Sequence, residues 1–338
     1  MAGPPRLTDG RPGSGRATIL DVAAAAGVSR QTVTRAMNGM PGISPATKQR
    51  VLAAAEALAY RPSRFGRGLV TGGERQLGLV VDDLRNPWSP ELAAAVVRIA
   101  ATEGWNVLLA DVALSGDAER MVASLGAQTD AVIGYLGVRA AAWIELLGAA
   151  PVVELDPVGE PLRGAVHLDR SAAVAAAVDH LVAAGVRAPL ALDSARPDGP
   201  SRRVGLMAAA FARHGIPLRT ASADSHSAEA AAGAVEPVLA DDRPDAILAF
   251  NDLMALGALS ACRRARVDVP GELRVVGIDG LALGGLVTPA LTTLDVDLDA
   301  VAREALDLAV AMLAGAAPRS GPDAQRTVRH RLLLRDSA

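Results

Sequence analysis

Arg30, Gln31, Thr34, Arg35 and Asn38 fall on the outer side of a short stretch whose inner positions are Val33, Ala36 and Met37. Arginine, glutamine, threonine and asparagine exposed along one helix suit the reading of base edges in a DNA major groove, because arginine pairs bidentately with guanine and glutamine with adenine. The short hydroxyls of Thr32 and Thr34 suit contacts to phosphate or base. A second set of chemistry-bearing residues sits at the carboxyl ends of apolar runs: Asp82-Asp83, Leu155-Asp156, Asp193-Ser194, Phe250-Asn251-Asp252 and Asp279-Gly280. Open α/β sheets bind ligands beyond the carboxyl ends of their strands. Carboxylates and amides converging there suit a small polar molecule with several hydroxyls or amides.

The first set needs a compact helical scaffold, and the flanking residues supply one. Thr18 precedes an apolar-periodic run and Asp21 follows three residues later, a capping-box spacing with aspartate in the glutamate position. Ile19, Val22, Ala23 and Ala26 share one helical face, and Gly27 ends the helix where a left-handed residue is cheap. Val28 fits the corner and Ser29 caps the next helix. Ser44 and Pro45 open a third, whose Val51, Leu52, Ala55 and Leu58 are expected to complete a three-helix core. Charge supports this division. Residues 1–75 hold eleven basic and four acidic side chains, a surplus of seven; the whole chain is at -3, so the remainder carries -10. A basic head on an acidic body places phosphate contacts on the head.

The second set needs parallel strands. From Leu77 onward, short apolar runs at 77–81, 105–110, 131–136, 151–155, 189–193, 245–250 and 274–279 alternate with Ala/Leu-rich stretches of helix length. Each run has the near-continuous apolar character of a strand buried on both faces. One open sheet would hold too many strands, so two lobes are expected. The strand at 189–193 opens the second, and 291–297 crosses back. Aromatics are only 2% of the chain, so the cores are built from alanine, valine and leucine.

Other classes are disfavoured. Cys262 is the one cysteine, which excludes an intrachain disulfide and a cysteine-based metal site. None of His167, His180, His214, His226 and His330 has metal-ligand spacing, and neither a nucleophile elbow nor a phosphate-binding loop occurs. No enzyme activity, cofactor or metal is expected. Met1–Arg16 lacks the apolar core of a signal peptide and no run reaches the roughly 20 apolar residues of a membrane span, so the expected location is cytoplasmic, with no membrane partner.

Asp21-Val22-Ala23, Ala26-Gly27-Val28-Ser29, Thr32-Val33, Arg35, Asn38-Gly39, Val51, Leu58 and Tyr60-Arg61-Pro62, in that order, resemble the LacI/GalR family of bacterial repressors. The resemblance extends over roughly residues 17–338. It implies an N-terminal three-helix helix-turn-helix head joined to a two-lobed, periplasmic-binding-protein-like α/β body with parallel sheets. The implied layout is a DNA-binding domain over 17–62, a hinge over 63–74, and an effector-binding and dimerisation body of two interleaved lobes over 75–338; ahead of it, the Gly/Pro/Arg-rich composition of 1–16 is expected to be a disordered tail. It implies a homodimer on double-stranded DNA at a pseudo-palindromic operator, read by Ser29 to Asn38. Thr18, Ser29, Arg30, Gln31, Thr32 and Thr34 are candidate DNA contacts, with Arg35, Asn38, Tyr60 and Arg64. Leu69 takes the position of a leucine that wedges into the minor groove, where an apolar side chain can unstack and kink the duplex. In the body, the family register points to Asp83, Asn86, Trp88, Asp156, Arg202, Asn251 and Asp279 as effector contacts. Arg202 and Asp279 together suit vicinal hydroxyls, so the implied effector is a small polar molecule, a sugar or sugar derivative. Asn251 and Asp252 also suit a helix cap. A solute-binding protein without gene regulation, and a regulator with no small-molecule effector, are the competing readings.

Overall fold

The computed structural model describes residues 19–37, 42–58, 75–195 and 199–338. Thr18, Asn38, Tyr60, Arg64 and Leu69, the tail over 1–16 and the hinge over 63–74 lie outside them. Packing divides the chain into two units, Met1–Gly73 and Glu74–Ala338.

The first unit holds α1 (Ile19–Ala26), α2 (Arg30–Met37) and α3 (Pro45–Ala57). Gly27 ends α1 at φ +62°, and Val28 N donates to Ala23 O at 3.0 Å, closing the helix with a left-handed turn. The Ser29 hydroxyl accepts from Thr32 N at 3.1 Å and Ser44 accepts from Thr47 N at 3.2 Å, so both serines cap their helices. Arg50 Nε donates to Ala26 O at 3.1 Å, covering a terminal carbonyl of α1 from α3. Val22, Ala26, Val33, Ala36, Val51 and Ala55 form the core. Leu52 and Leu58, expected within it, are 43% and 37% exposed. Leu52 lies about 100° around the helix from Val51, and Leu58 follows the last residue of α3.

The second unit contains two six-stranded sheets. The first is built from β1 (Arg75–Val81), β2 (Trp105–Asp111), β3 (Ala131–Gly134), β4 (Val152–Leu155), β5 (Gly164–Asp169) and, much later in the chain, β11 (Gln325–Arg329). Its order is β11-β5-β4-β3-β1-β2, parallel throughout. The second uses β6 (Pro189–Ser194), β7 (Arg219–Ala223), β8 (Ala246–Ala249), β9 (Arg274–Asp279), β10 (Thr292–Asp295) and β12 (Arg331–Leu333) in the order β12-β10-β9-β8-β6-β7. Only β12 runs antiparallel, against β10.

Helices cover both faces of each sheet, which explains the near-continuous burial of the central strands. In the first lobe, α4 (Trp88–Thr102) and α11 (Leu298–Leu313) pack on one face with Leu77, Leu79 and Ile133, while α5 (Ala118–Gln128) and α6 (Ala140–Leu147) pack on the other with Val80 and Val132. In the second, α9 (Ala228–Asp241) and α10 (Asp252–Ala265) lie on one face, and α7 (Ser171–Ala183) and α8 (Arg202–Ala212) on the other. The second lobe therefore opens one element earlier than expected. Val174, Val178 and Leu181 of α7 already pack with Ala191, Leu248 and Ile278 of its sheet. The chain passes between lobes at Arg170, at residues 296–297 and at His330. His330 N donates to Asp169 O at 2.8 Å, tying the third passage to the first.

Among the described residues no helix is long and apolar enough to cross a membrane, and no group of three His, Cys, Asp or Glu side chains could hold a metal ion.

Candidate DNA-reading helix and interlobe cleft

On α2 the alternation of small apolar and polar residues sorts the side chains. Val33 and Ala36 are buried, Arg30, Gln31 and Arg35 are exposed, and Thr32 and Thr34 are half-buried. The Thr34 hydroxyl donates to Arg30 O at 3.1 Å, which uses its proton within the helix and leaves its lone pairs outward. The Thr32 hydroxyl is 3.0 Å from the Ser29 hydroxyl. The Arg35 guanidinium lies over the turn into α3, where a Cβ on Gly42 would come within 3.1 Å of its Nη2. Arg30 and Gln31 thus stand at the first positions of the helix, the end that enters a major groove in helix-turn-helix proteins.

In the body, a cavity of about 540 Å³ opens between strand ends and passages of the two lobes; Asp156, His167, Asp169 and Arg170 line one side and Arg202, Arg203 and Phe250 the other. Two carboxylates, Asp156 in its lining and Asp279 beside the lining Arg203, are held by backbone that most residues avoid. Asp156, just beyond β4, has φ +45°, and Asp279, closing β9, has φ +132°. The other non-glycine residue with positive φ among those described, Arg266, is a helix C-cap. Such conformations cost on the order of 1–3 kcal/mol each and persist where the surroundings hold them.

Asp156 pairs with Arg170 at 2.9 Å, and Arg170 also donates to Leu168 O at 2.8 Å. Asp279 faces Arg203 at 3.8 Å. Burial pushes the Asp279 carboxyl up to about 7, against the opposing pull of Arg203. The Arg203 guanidinium is held below its ordinary value by burial, with Arg170 adding to the effect. Arg203 donates to Phe250 O and lies 4.2 Å over the Phe250 ring, a cation–π arrangement. His226 stacks parallel to the same ring at 4.7 Å. Behind the turn after β9, the buried Asp252 accepts from Thr293 Oγ1 at 2.5 Å and Leu281 N at 2.8 Å; burial raises its carboxyl to about 6. These bonds fix the turn that presents Asp279.

Of the seven sequence candidates, Asp156 and Arg202 line the cavity, and Asp279 is joined to it through Arg203. Arg202 is exposed and donates to Pro157 O at 3.1 Å, so the adjacent arginine takes the inward position. Ser201 caps α8 by accepting from Val204 N at 3.3 Å, and Arg203 lies one turn before the buried Met207. That phase was available in the sequence and separates the two arginines. Asn251 is buried as the α10 cap, accepting from Met254 N at 2.8 Å. Asp83 is taken up by Arg85 at 2.9 Å, and this bond holds its carboxyl below the usual range. Asn86 accepts from Trp88 N at 3.2 Å in the turn into α4. Trp88, read as a cleft aromatic, is 8% exposed and belongs to the first lobe's core, because the first turn of α4 faces the sheet; its indole N–H donates to the Tyr135 hydroxyl at 3.1 Å. Arg170 and His226 were not anticipated, because an interlobe passage and a stacked ring are tertiary features.

A helix-turn-helix head with an outward basic helix, joined in one chain to a two-lobed parallel-sheet body with a polar interlobe cavity, is the architecture of a DNA-binding transcriptional regulator. Residues 18–63 match the bacterial regulatory proteins of the lacI family, and residues 178–338 match a periplasmic binding protein-like domain. The catabolite control protein A of Priestia megaterium is 31% identical over 82% of this chain and 86% of its own length. A LacI family transcriptional regulator from Arthrobacter sp. FB24, solved in complex with lactose, superposes with a TM-score of 0.75 at 34% identity, covering 79% of this chain and 100% of that one. The lac repressor dimer bound to operator and the anti-inducer ONPF superposes with a TM-score of 0.69 at 25% identity, covering 96% of this chain and 99% of that one. The chain belongs to the LacI/GalR family of bacterial transcriptional regulators.

Proposed function

We propose that this regulator is a homodimeric repressor. It reads a pseudo-palindromic operator with Arg30 and Gln31 of α2, and a sugar or sugar derivative in the interlobe cavity sets its operator affinity. The observation that carries the effector half is the pairing of two conformationally strained carboxylates, the half-buried Asp156 and the buried Asp279, with Arg170 and Arg203, which line one cavity. Carboxylates and guanidinium groups offer acceptors and donors to vicinal hydroxyls, and the Phe250 ring adds an apolar face. The lactose bound by the Arthrobacter relative and the operator bound by the lac repressor support the same reading. Leu69 serves as the minor-groove wedge and Arg64 as a backbone contact.

The test has two steps with full-length protein. Binding-site selection from random duplexes gives the operator; a two-fold symmetric site is expected, and an unsymmetric one removes the dimer reading. Operator affinity is then measured with and without each member of a sugar panel. A change of at least ten-fold with one sugar is expected, and none with any member removes the effector reading.

A further inference from the structure

The two threonines of α2 engage their hydroxyls differently. The Thr32 and Ser29 hydroxyls lie 3.0 Å apart, and the Ser29 oxygen also accepts from Thr32 N at 3.1 Å. One bond between two hydroxyls uses one proton, so this pair keeps a second proton for an outside acceptor such as a phosphate oxygen. Thr34 keeps none, because its one hydroxyl proton goes to Arg30 O at 3.1 Å. Phosphate oxygens, guanine O6 and N7, adenine N7 and thymine O4 are all acceptors. The Thr34 hydroxyl therefore has no proton to give to any of them.

The same bond fixes the rotamer. A β-branched side chain has few χ1 wells in a helix, and bonding back to the preceding turn selects one that holds Oγ1 against the backbone. The methyl is then the branch of Thr34 that the helix does not engage. Thr34 follows Arg30 by four residues and Gln31 by three, so it shares their face of α2, with roughly 5–6 Å between Cβ atoms. It is half-buried, while Arg30, Gln31 and Arg35 are exposed. Those three neighbours end in polar groups, so the apolar contact of this face falls to Thr34. In a major groove the matching feature is the C5-methyl of thymine, which a threonine methyl packs against.

We propose that Thr34 is a specificity-determining residue, which reads a thymine of each half-site through its methyl group and makes no phosphate contact. This rests on the reading of α2 as the helix that meets base edges. The thymine lies next to the base pair read by Arg30 or Gln31, since Thr34 stands one helical turn from both.

The test replaces each thymine in one half-site of the selected operator, in turn, by deoxyuridine, which removes the C5-methyl alone. Affinity of the full-length protein is read by fluorescence anisotropy. For the parent, one replacement is expected to weaken binding about four-fold, the effect of one methyl-sized group left in water. Thr34→Ser keeps the hydroxyl and should bind the thymine and deoxyuridine duplexes equally at that position. Thr34→Val keeps a methyl and should retain the about four-fold preference. No deoxyuridine effect in the parent overturns the proposal, and so does an undiminished effect in Thr34→Ser. A preference kept by Thr34→Ser and lost in Thr34→Val gives the reading to the hydroxyl and also overturns it. If the protein selects no sequence from random duplexes, the reading of α2 itself fails; a selected operator without this methyl dependence removes Thr34 alone.

Discussion

His330 permits a quantitative test of how the two lobes are joined. It is the single residue between β11 and β12, buried, with neither ring nitrogen hydrogen-bonded. Burial, with Arg170 and then Arg203 nearby, pushes its pKa from 6.5 down to about 3. The unfolded chain therefore takes up the proton first as the pH falls. The stability associated with His330 is complete above pH 6.5 and is lost between 6.5 and about 3. Each pH unit in that window costs the folded state about 1.4 kcal/mol, which gives about 2 kcal/mol at pH 5. His330→Leu removes the proton site and leaves an apolar side chain of similar size where no hydrogen bond existed, so near-neutral stability at pH 7.5 is expected. Denaturant unfolding followed by tryptophan fluorescence reports on the body, since Trp88, Trp105 and Trp143 all lie in its first lobe. The stability difference between variant and parent should shift by about 2 kcal/mol in favour of the variant between pH 7.5 and pH 5. A shift below about 0.5 kcal/mol, well under the linkage value, would refute the claim that the interlobe passage holds this histidine neutral.

Arg30→Ala should cost about 1–3 kcal/mol at the selected operator and relax discrimination at one base pair of each half-site; fluorescence anisotropy with base-substituted duplexes reads both, and retained specificity removes Arg30 from base reading. Arg203→Ala should weaken effector binding far more than Arg202→Ala, because Arg203 faces Asp279 and Phe250 while Arg202 reaches a backbone carbonyl at the rim; the reverse order by calorimetry would restore Arg202 to the inward position. Asp279 has a raised pKa, so it favours the folded state below its unfolded value of 3.8 and that advantage is lost as the pH climbs to about 7. Asp279→Asn should accordingly raise stability at pH 8 while weakening effector binding, and lower stability at pH 8 contradicts this. Gly257→Ala would place a Cβ 2.2 Å from Ala228 O between α10 and α9 and should destabilise by about 2 kcal/mol. Gly205→Ala in α8 meets nothing within 4 Å and should stabilise by about 0.5–1 kcal/mol, both read by the same denaturation assay.

The parts of the fold readable from sequence are those where one local rule decides. The buried strands at 77–81 and 274–279 are apolar runs because both faces are covered, and Ser29 and Ser44 cap because they precede helical periodicity. Strands β7 and β11 gave no such signal. They lie at sheet edges, one face of β7 is exposed at alternate residues, and their sequences, Arg219–Ala223 and Gln325–Arg329, are polar. Strand ends named Asp156 and Asp279 as cleft carboxylates because topology alone places them. The side chains that complete the cavity follow a different logic. Asn251 is spent on a helix cap and Trp88 on a core, while Arg203 gains its place from the phase of a helix whose cap, Ser201, also answers to Asp193.

That division bears on how a ligand acts. Asp156 belongs to the first lobe's β4 end and Asp279 to the second lobe's β9 end, and each is paired with an arginine, Arg170 in a passage and Arg203 on α8. A molecule whose hydroxyls engage both carboxylates touches both lobes at once, so its binding free energy depends on the angle between them. A ligand shifts a conformational equilibrium only by its differential affinity for the two states. Contacts confined to one lobe would add affinity without that differential. On the proposed effector reading, the regulatory work falls on the contacts that bridge the lobes. His330 and Arg170 stand in the third and first passages, which the His330 N to Asp169 O bond ties together, so any change in the angle between the lobes has to pass through them.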